Sequence, residues 1–276
     1  VDMNIETASA VLDCILASPS SDIKIEFQGG EPTLNWETLK YIVLEGKKRI
    51  KKQPSRQLSF VVCTNLIDIS DEQMAFFKMH NVDISTSCDG PEFYHDLHRR
   101  ARDGTSSYAS FKNNLFRVRK EMGFNNVSAL LTVTRDNLLN LKEVISHYDE
   151  LGFRNIFIRA LNPYGYAQKN EQSISYSTEE FLIYYKQALE YILDMNRAGK
   201  FFVESYAALL FQRMMTSFST GFVDLQSPSG AGIAGAIYYY NGDVYPADEA
   251  RMLATMGDSK FKMGNVFEDS YIDIFN

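Results

Sequence analysis

Cysteine is scarce in this chain and never clustered. Its 276 residues hold three, Cys14, Cys63 and Cys88, odd in number and widely separated. That spacing argues against a disulfide framework and points to a reduced, cytoplasmic protein. Basic charge is short as well: 28 Lys and Arg stand against 35 Asp and Glu, a formal net charge of −7. A general nucleic-acid-binding surface has the opposite balance. No apolar run is long enough to span a bilayer. The opening, "VDMNIETASAVLDCILASPSSD", is acidic and lacks the basic n-region of a signal peptide. Internal repeats and low-complexity tracts are also missing. What is there is a 45% hydrophobic composition, ample for one large domain or a domain with an appendage.

The apolar pattern alternates short strands with amphipathic helices. Strands are expected at 23–28, 57–63 ("QLSFVVC"), 82–87 ("VDISTS"), 127–133 ("VSALLTV") and 155–161 ("NIFIRAL"). Helices are expected at 4–17, from an Asn35 N-cap to Lys51, from a Ser70/Gln73 capping box to His80, from Ser107 to Gly123, at 137–151, and from a Ser177/Glu180 box to Arg197. Such alternation argues for right-handed parallel βα units. The first helix has no strand before it, so the array reads as one strand short of a partial (βα)6 TIM-like barrel. After about residue 200 the character changes. "SPSGAGIAGAIYYYNGDVYPADEARM" is glycine-rich, then aromatic, with a hairpin expected around Asn241-Gly242. Residues 1–200 thus read as the barrel portion and 201–276 as a small, incomplete C-terminal module.

Unusual residues gather at the strand ends. Gly29-Gly30-Glu31-Pro32 follows the first strand and Thr64-Asn65 the second. Ser85, Ser87 and Asp89-Gly90-Pro91 close the third, followed by His95 and Arg99, and Arg159 with Asn162-Pro163 ends the fifth. Sites of barrels of this type lie at the C-terminal ends of strands. Each group also has a plain reading. Gly-Gly-Glu-Pro alone is a turn, Asp-Gly-Pro is a turn signal, and Asn65 is a turn residue. His95 and His98, without Cys or carboxylate support, cap or solvate a helix more readily than they bind metal. The argument for a site rests on the order and placement of the whole set.

That order, "FQGGEP … TN … STSCDGP … H…R", resembles the radical S-adenosylmethionine superfamily. The likeness is closest to its peptide- and protein-modifying branch with a SPASM-type extension, such as anaerobic sulfatase-maturating enzymes and the maturases of His-Xaa-Ser peptide systems. "GDVY--DEARML--MGD----GNV" carries it into the C-terminal region. The resemblance implies a backbone cradle for the S-adenosylmethionine amino group at Gly29, Gly30, Glu31 and Pro32. It places Ser87 and Arg99 at the carboxylate or ribose, Asn65 in the same ring, and Asp248 as a proton-moving base. It implies a peptide or protein substrate and a 5′-deoxyadenosyl radical raised with a [4Fe–4S] cluster.

The cluster is where the sequence departs. The family's C-x3-C-x2-C loop after the first barrel strand has no counterpart here, and the three cysteines do not substitute by spacing. Cys14, Cys63 and Cys88 read as small buried hydrophobes, and no residue is assigned to a metal. A [4Fe–4S] cluster is expected only if its cysteines lie outside residues 1–276, in keeping with the absent first strand. Two family cysteines of the C-terminal module stand here as Ser229 and Ala247. Truncation does not account for those internal differences; loss within the lineage and engineered substitution both do. Three functions follow. The first is a radical maturase whose cluster loop lies upstream. The second is a cluster-less relative that binds a peptide or partner protein as a subunit of a complex. The third is a phosphate-binding barrel enzyme, ranked lowest because no Lys or Arg cluster accompanies the glycines.

Overall fold

Alternation along each strand decides which face is buried. The computed structural model describes residues 2–162 and 171–276; the expectation for Pro163 lies outside them. Helix α1 (Ile5–Ala17) opens the chain, with the Asn4 side chain accepting from Thr7 N–H as its N-cap. Strand β1 (Asp22–Phe27), helix α2 (Trp36–Ile50) and strand β2 (Gln57–Cys63) follow. Next come α3 (Asp71–His80), β3 (Val82–Ser87), α4 (Glu92–His98), α5 (Tyr108–Met122) and β4 (Val127–Thr132). Two short helices, α6 (Arg135–Leu138) and α7 (Leu141–Glu150), precede β5 (Asn155–Ile156) and β6 (Ile158–Arg159). Five strands run in the order β1-β2-β3-β4-β6, with parallel pairing of β1 with β2, β3 with β4 and β4 with β6. The chain is α/β, as the expected partial (βα) barrel requires.

Two compact units make up the chain. One comprises Val1–Cys63, His80–Val82 and Ser217–Asn276; the other comprises Thr64–Met79 and Asp83–Thr216. In the first, Ile25, Phe60 and Val62 are buried on one face of β1 and β2, with Phe27 stacked on Phe60. Lys24, Glu26 and Ser59 alternate onto the other face and are exposed. In the second, Ile84, Thr86, Ala129 and Leu131 are buried, while Ser85, Ser87, Ser128 and Thr132 share the opposite face. Parallel strands covered on both faces are apolar throughout. Here each strand carries polar residues along one face, the pattern expected of strands around an open interior.

The second unit continues through α8 (Thr178–Arg197), β7 (Val203–Glu204), which pairs with β5, and α9 (Ser205–Met215). The C-terminal part of the first unit holds β8 (Ile237–Tyr238), β9 (Asp243–Tyr245), α10 (Asp248–Thr255), β10 (Gly264–Asn265) and α11 (Tyr271–Phe275). Its small core gathers Val244 and Ile274 around Cys14 of α1, packed against by Tyr238, Met263, Val266 and Phe275. β8, β9 and β10 form an antiparallel sheet in the order β10-β9-β8.

Three local expectations change. The helix expected over 137–151 breaks after Leu138. Asn137 Oδ1 accepts Thr134 N–H (2.9 Å) across a single turn, and Asn140 opens the next helix. The strand expected at 155–161 divides at Phe157: its first half pairs with β7 and its second with β4. The buried Glu204 carboxylate accepts Ile158 N–H (3.0 Å) at that division. Asn35 holds the N-cap position of α2 without a side-chain cap bond; its Nδ2 donates to Met3 O instead (2.9 Å).

Candidate functional site

Every residue of the expected site stands at, or shortly after, the C-terminal end of a strand, save Arg99, which follows α4, and Asp248, which opens α10. In the first unit, Gly29 follows β1 with φ +140°, a conformation L side chains rarely adopt. A Cβ at Gly29 or Gly30 would meet no atom within 4 Å. The backbone there is bare and open to a small polar group. Glu31 is turned to local work: its Oε1 accepts Thr33 N–H (3.2 Å) and Thr33 O–H (2.7 Å), capping the short turn Pro32–Leu34.

Asp248 is the first residue of α10, and its Oδ1 accepts from Arg251 Nε (2.8 Å) and Nη2 (2.7 Å). The Arg251 guanidinium lies 5.7 Å from the Tyr239 ring centre. The structure therefore gives Asp248 a close cationic partner that the sequence reading did not anticipate.

In the second unit, Asn65 makes an Asx turn, its Oδ1 accepting Ile67 N–H (2.8 Å) beside Leu66 at φ 55°. Ser87 ends β3, half-buried and in register with Leu130. Arg99 follows α4 and turns back onto Asp89: Nε to Oδ2 is 2.5 Å and Nη2 to Oδ1 is 3.3 Å. Asp89 Oδ1 also accepts Thr132 N–H (3.2 Å), and Arg99 Nη2 lies 3.4 Å from Thr132 Oγ1. Asp89, Arg99 and Thr132 are thus brought together at the ends of β3 and β4. The sequence signalled Asp89 only as a turn residue; Thr132 gave no signal beyond its place at a strand end.

The histidines do not behave as caps or ligands. His95 is buried against Phe111, ring centres 5.1 Å apart, and edge-on to Tyr108. Burial pushes its pKa down to about 4, so the ring is neutral. His98 Nε2 lies 2.8 Å from Asp136 Oδ2. Behind them, His147 Nε2 and the Tyr108 hydroxyl are 2.6 Å apart.

The chemistry of these groups suits an amino acid. Bare backbone at Gly29-Gly30 offers carbonyls to an ammonium, and a serine hydroxyl and an arginine suit a carboxylate. Each set, taken within its own unit, has donors or acceptors of the kind the amino or carboxylate group of S-adenosylmethionine requires. They do not fit an iron–sulfur cluster, whose ligands are thiolates. Cys88 is fully buried and burial pushes its thiol up to about 12; Cys14 is raised by burial too. Among the described residues no group of three His, Cys, Asp or Glu is placed to hold a metal. No step through a cluster is assigned to these residues. No helix among them is long and apolar enough to cross a membrane.

The fold is that of peptide-bound and S-adenosylmethionine-bound maturase structures. It matches anSMEcpe with bound AdoMet and Kp18Cys peptide at a TM-score of 0.80 and 20% identity, over 99% of this chain and 72% of that one. It matches Streptococcus suis SuiB bound to precursor peptide SuiA at 0.62 and 11%, over 99% and 58%. Three curated relatives are similar in sequence. The cysteine-type anaerobic sulfatase-maturating enzyme of Clostridium perfringens is 22% identical over 285 residues, 99% of this chain and 70% of its own. The radical SAM cyclopropyl synthase TigE of Paramaledivibacter caminithermalis is 27% identical over 97 residues, 35% and 19%. The Methanocaldococcus jannaschii protein MJ0907 is 25% identical over 181 residues, 65% and 59%. The matched stretch thus covers less than two thirds of MJ0907, TigE and SuiB. No family model matches it. The resemblance read from the strand-end residues is borne out by these relatives and by the fold.

Proposed function

We propose that this chain is the S-adenosylmethionine-binding portion of a radical maturase acting on a peptide or protein side chain. The observation that carries the reading is the fold: nearly the whole chain superposes on an AdoMet- and peptide-bound maturase. The bare backbone at Gly29-Gly30 and the paired Arg99 support it. In this reading residues 1–200 are the barrel portion and 201–276 a SPASM-like module. Gly29, Gly30, Glu31 and Pro32 receive the amino group by backbone contacts. Ser87 and Arg99 receive the carboxylate, Asn65 shapes the turn beside them, and Asp248 moves a proton. A [4Fe–4S] cluster, held by cysteines outside residues 1–276, supplies the electron that starts radical chemistry when bound.

Calorimetric titration of the 276-residue chain with S-adenosylmethionine tests the pocket; saturable one-site binding supports it and none refutes it. For the full gene product, anaerobic reconstitution and reduction should release 5′-deoxyadenosine. A second reading starts from Ser229 and Ala247, which stand where the family resemblance implies cysteines. It makes the chain a cluster-less peptide-binding subunit. Stoichiometric iron and sulfide in the anaerobically purified full-length protein would exclude it.

A further inference from the structure

We propose that Asp89 is a positioning residue: it holds one edge of the Arg99 guanidinium so that the other edge receives the α-carboxylate of the bound cofactor. The inference rests on the S-adenosylmethionine reading above and deepens it at one group. A guanidinium presents five N–H donors in a rigid planar fork. Asp89 occupies Nε and one side of Nη2. Nη1 makes no hydrogen bond among the described residues, and the Arg99 side chain is 31% exposed against 4% for Asp89. One edge is therefore fixed in the protein; on the other, Nη2 also lies 3.4 Å from Thr132 Oγ1, and Nη1 is left to meet a ligand.

The fixed edge is unusually well determined. Tyr148 O–H donates to Cys88 O (2.6 Å), and Asn137 Nδ2 donates to Asp89 O (3.3 Å). Thr132 N–H holds Asp89 Oδ1. Gly90 has φ +115°, and a Cβ there would come within 2.9 Å of Val144 Cγ2. The backbone at Cys88–Gly90 is thus held from α6 and α7, and the Asp89 carboxylate from β4. Stability alone gives little reason for such a pair, since buried ion pairs are matched by apolar replacements. A prepositioned donor that meets a carboxylate without reorganising is what the arrangement provides. The guanidinium also reaches Thr132 Oγ1, whose residue lies on the polar face that carries Ser87.

The test compares S-adenosylmethionine with its decarboxylated analogue, which keeps the sulfonium, adenosine and amine. Because the 276-residue chain has no cluster motif, discrimination between them reports protein groups alone. The wild-type chain should prefer S-adenosylmethionine about 10- to 100-fold, the range for hydrogen bonds to a charged group. Asp89→Asn should lose most of that preference by weakening S-adenosylmethionine while leaving the analogue unchanged. Arg99→Lys keeps the charge and the pairing with Asp89, and so the fold, yet one ammonium cannot serve both carboxylates; it should lose the preference too. If Asp89→Asn does not fold, Arg99→Lys decides. Preference retained in either folded variant overturns the role of Asp89 and leaves the pocket standing. A wild-type chain that binds neither compound refutes the S-adenosylmethionine reading and this proposal with it; one that binds both equally overturns the carboxylate contact, and so this proposal, while the pocket stands.

Discussion

Single side chains set two measurable properties of this protein. His95 is buried among aromatic rings, and its pKa lies near 4 in the fold against an ordinary value near 6.5. The unfolded chain therefore takes up a proton between those values that the native state refuses. Stability from this group is complete above pH 6.5 and falls as pH drops toward 4. The loss at pH 5.5 relative to pH 8 is on the order of 1 kcal/mol. Facing groups are Asp89, Arg99, Asp96 and His147; the two carboxylates oppose the shift and the two basic groups reinforce it. Urea unfolding at both pH values should show that His95→Phe, which preserves the stack on Phe111, removes this slope. An unchanged slope would assign the acid sensitivity elsewhere. The cysteines make the second case. Cys88 and Cys14 are buried with raised pKa values, while Cys63 is half-buried at the end of β2. Native protein treated with a thiol reagent at pH 8 should be modified at Cys63 first, and mass mapping checks the site.

Elements were legible in proportion to how locally they are determined. β2 at 57–63, β3 at 82–87 and α8 from Thr178 follow the sequence reading residue for residue, because alternation and capping boxes are local signals. Ser70 and Gln73 exchange the two bonds expected of them (3.1 and 3.0 Å). Ser177→Ala should cost about 1 kcal/mol, the usual worth of an N-cap, by denaturant titration. Where tertiary contacts decide, the sequence was silent. The break after Leu138 exists because Asn137 is committed elsewhere. Its Oδ1 accepts Thr134 N–H (2.9 Å), and its Nδ2 reaches Thr132 O (3.1 Å) and Asp89 O. Nothing in the local periodicity announces that role. Nor does it announce that Asp89, a turn residue by composition, is the partner of Arg99. Asn137→Ala strands several buried polar groups at once and should cost about 2–4 kcal/mol. It should also disorder the β3–α4 loop, seen as faster amide exchange at Cys88–Gly90.

At the scale of the molecule, the question is what holds the C-terminal region together. The family resemblance implies cysteines at the positions of Ser229 and Ala247, yet neither residue supplies a thiolate. Ala247 N-caps α10, and Ser229 Oγ accepts Ala231 N–H at 3.3 Å. The region's own interactions are those of an ordinary small sheet. Val244 and Ile274 close a core with Cys14 of α1. Asp243 accepts from Lys262 Nζ (2.5 Å), and its carboxylate also receives Asn265 Nδ2 (2.9 Å) and Asn241 Nδ2 (2.8 Å). Those bonds hold the Asp243 carboxyl below the usual carboxylate range. Burial of a few aliphatic and aromatic side chains, each worth about 1.5–3 kcal/mol, holds the region. Metal removal should therefore leave the fold alone. Incubating the 276-residue chain with an iron chelator under anaerobic conditions should shift its melting temperature by less than about 1 °C, since a lost crosslink would cost several kcal/mol and several degrees. Val244→Ala, by contrast, opens the core and should lower the midpoint measurably. A large chelator-dependent drop in the wild-type chain would show that a metal, and not this apolar cluster, secures the module.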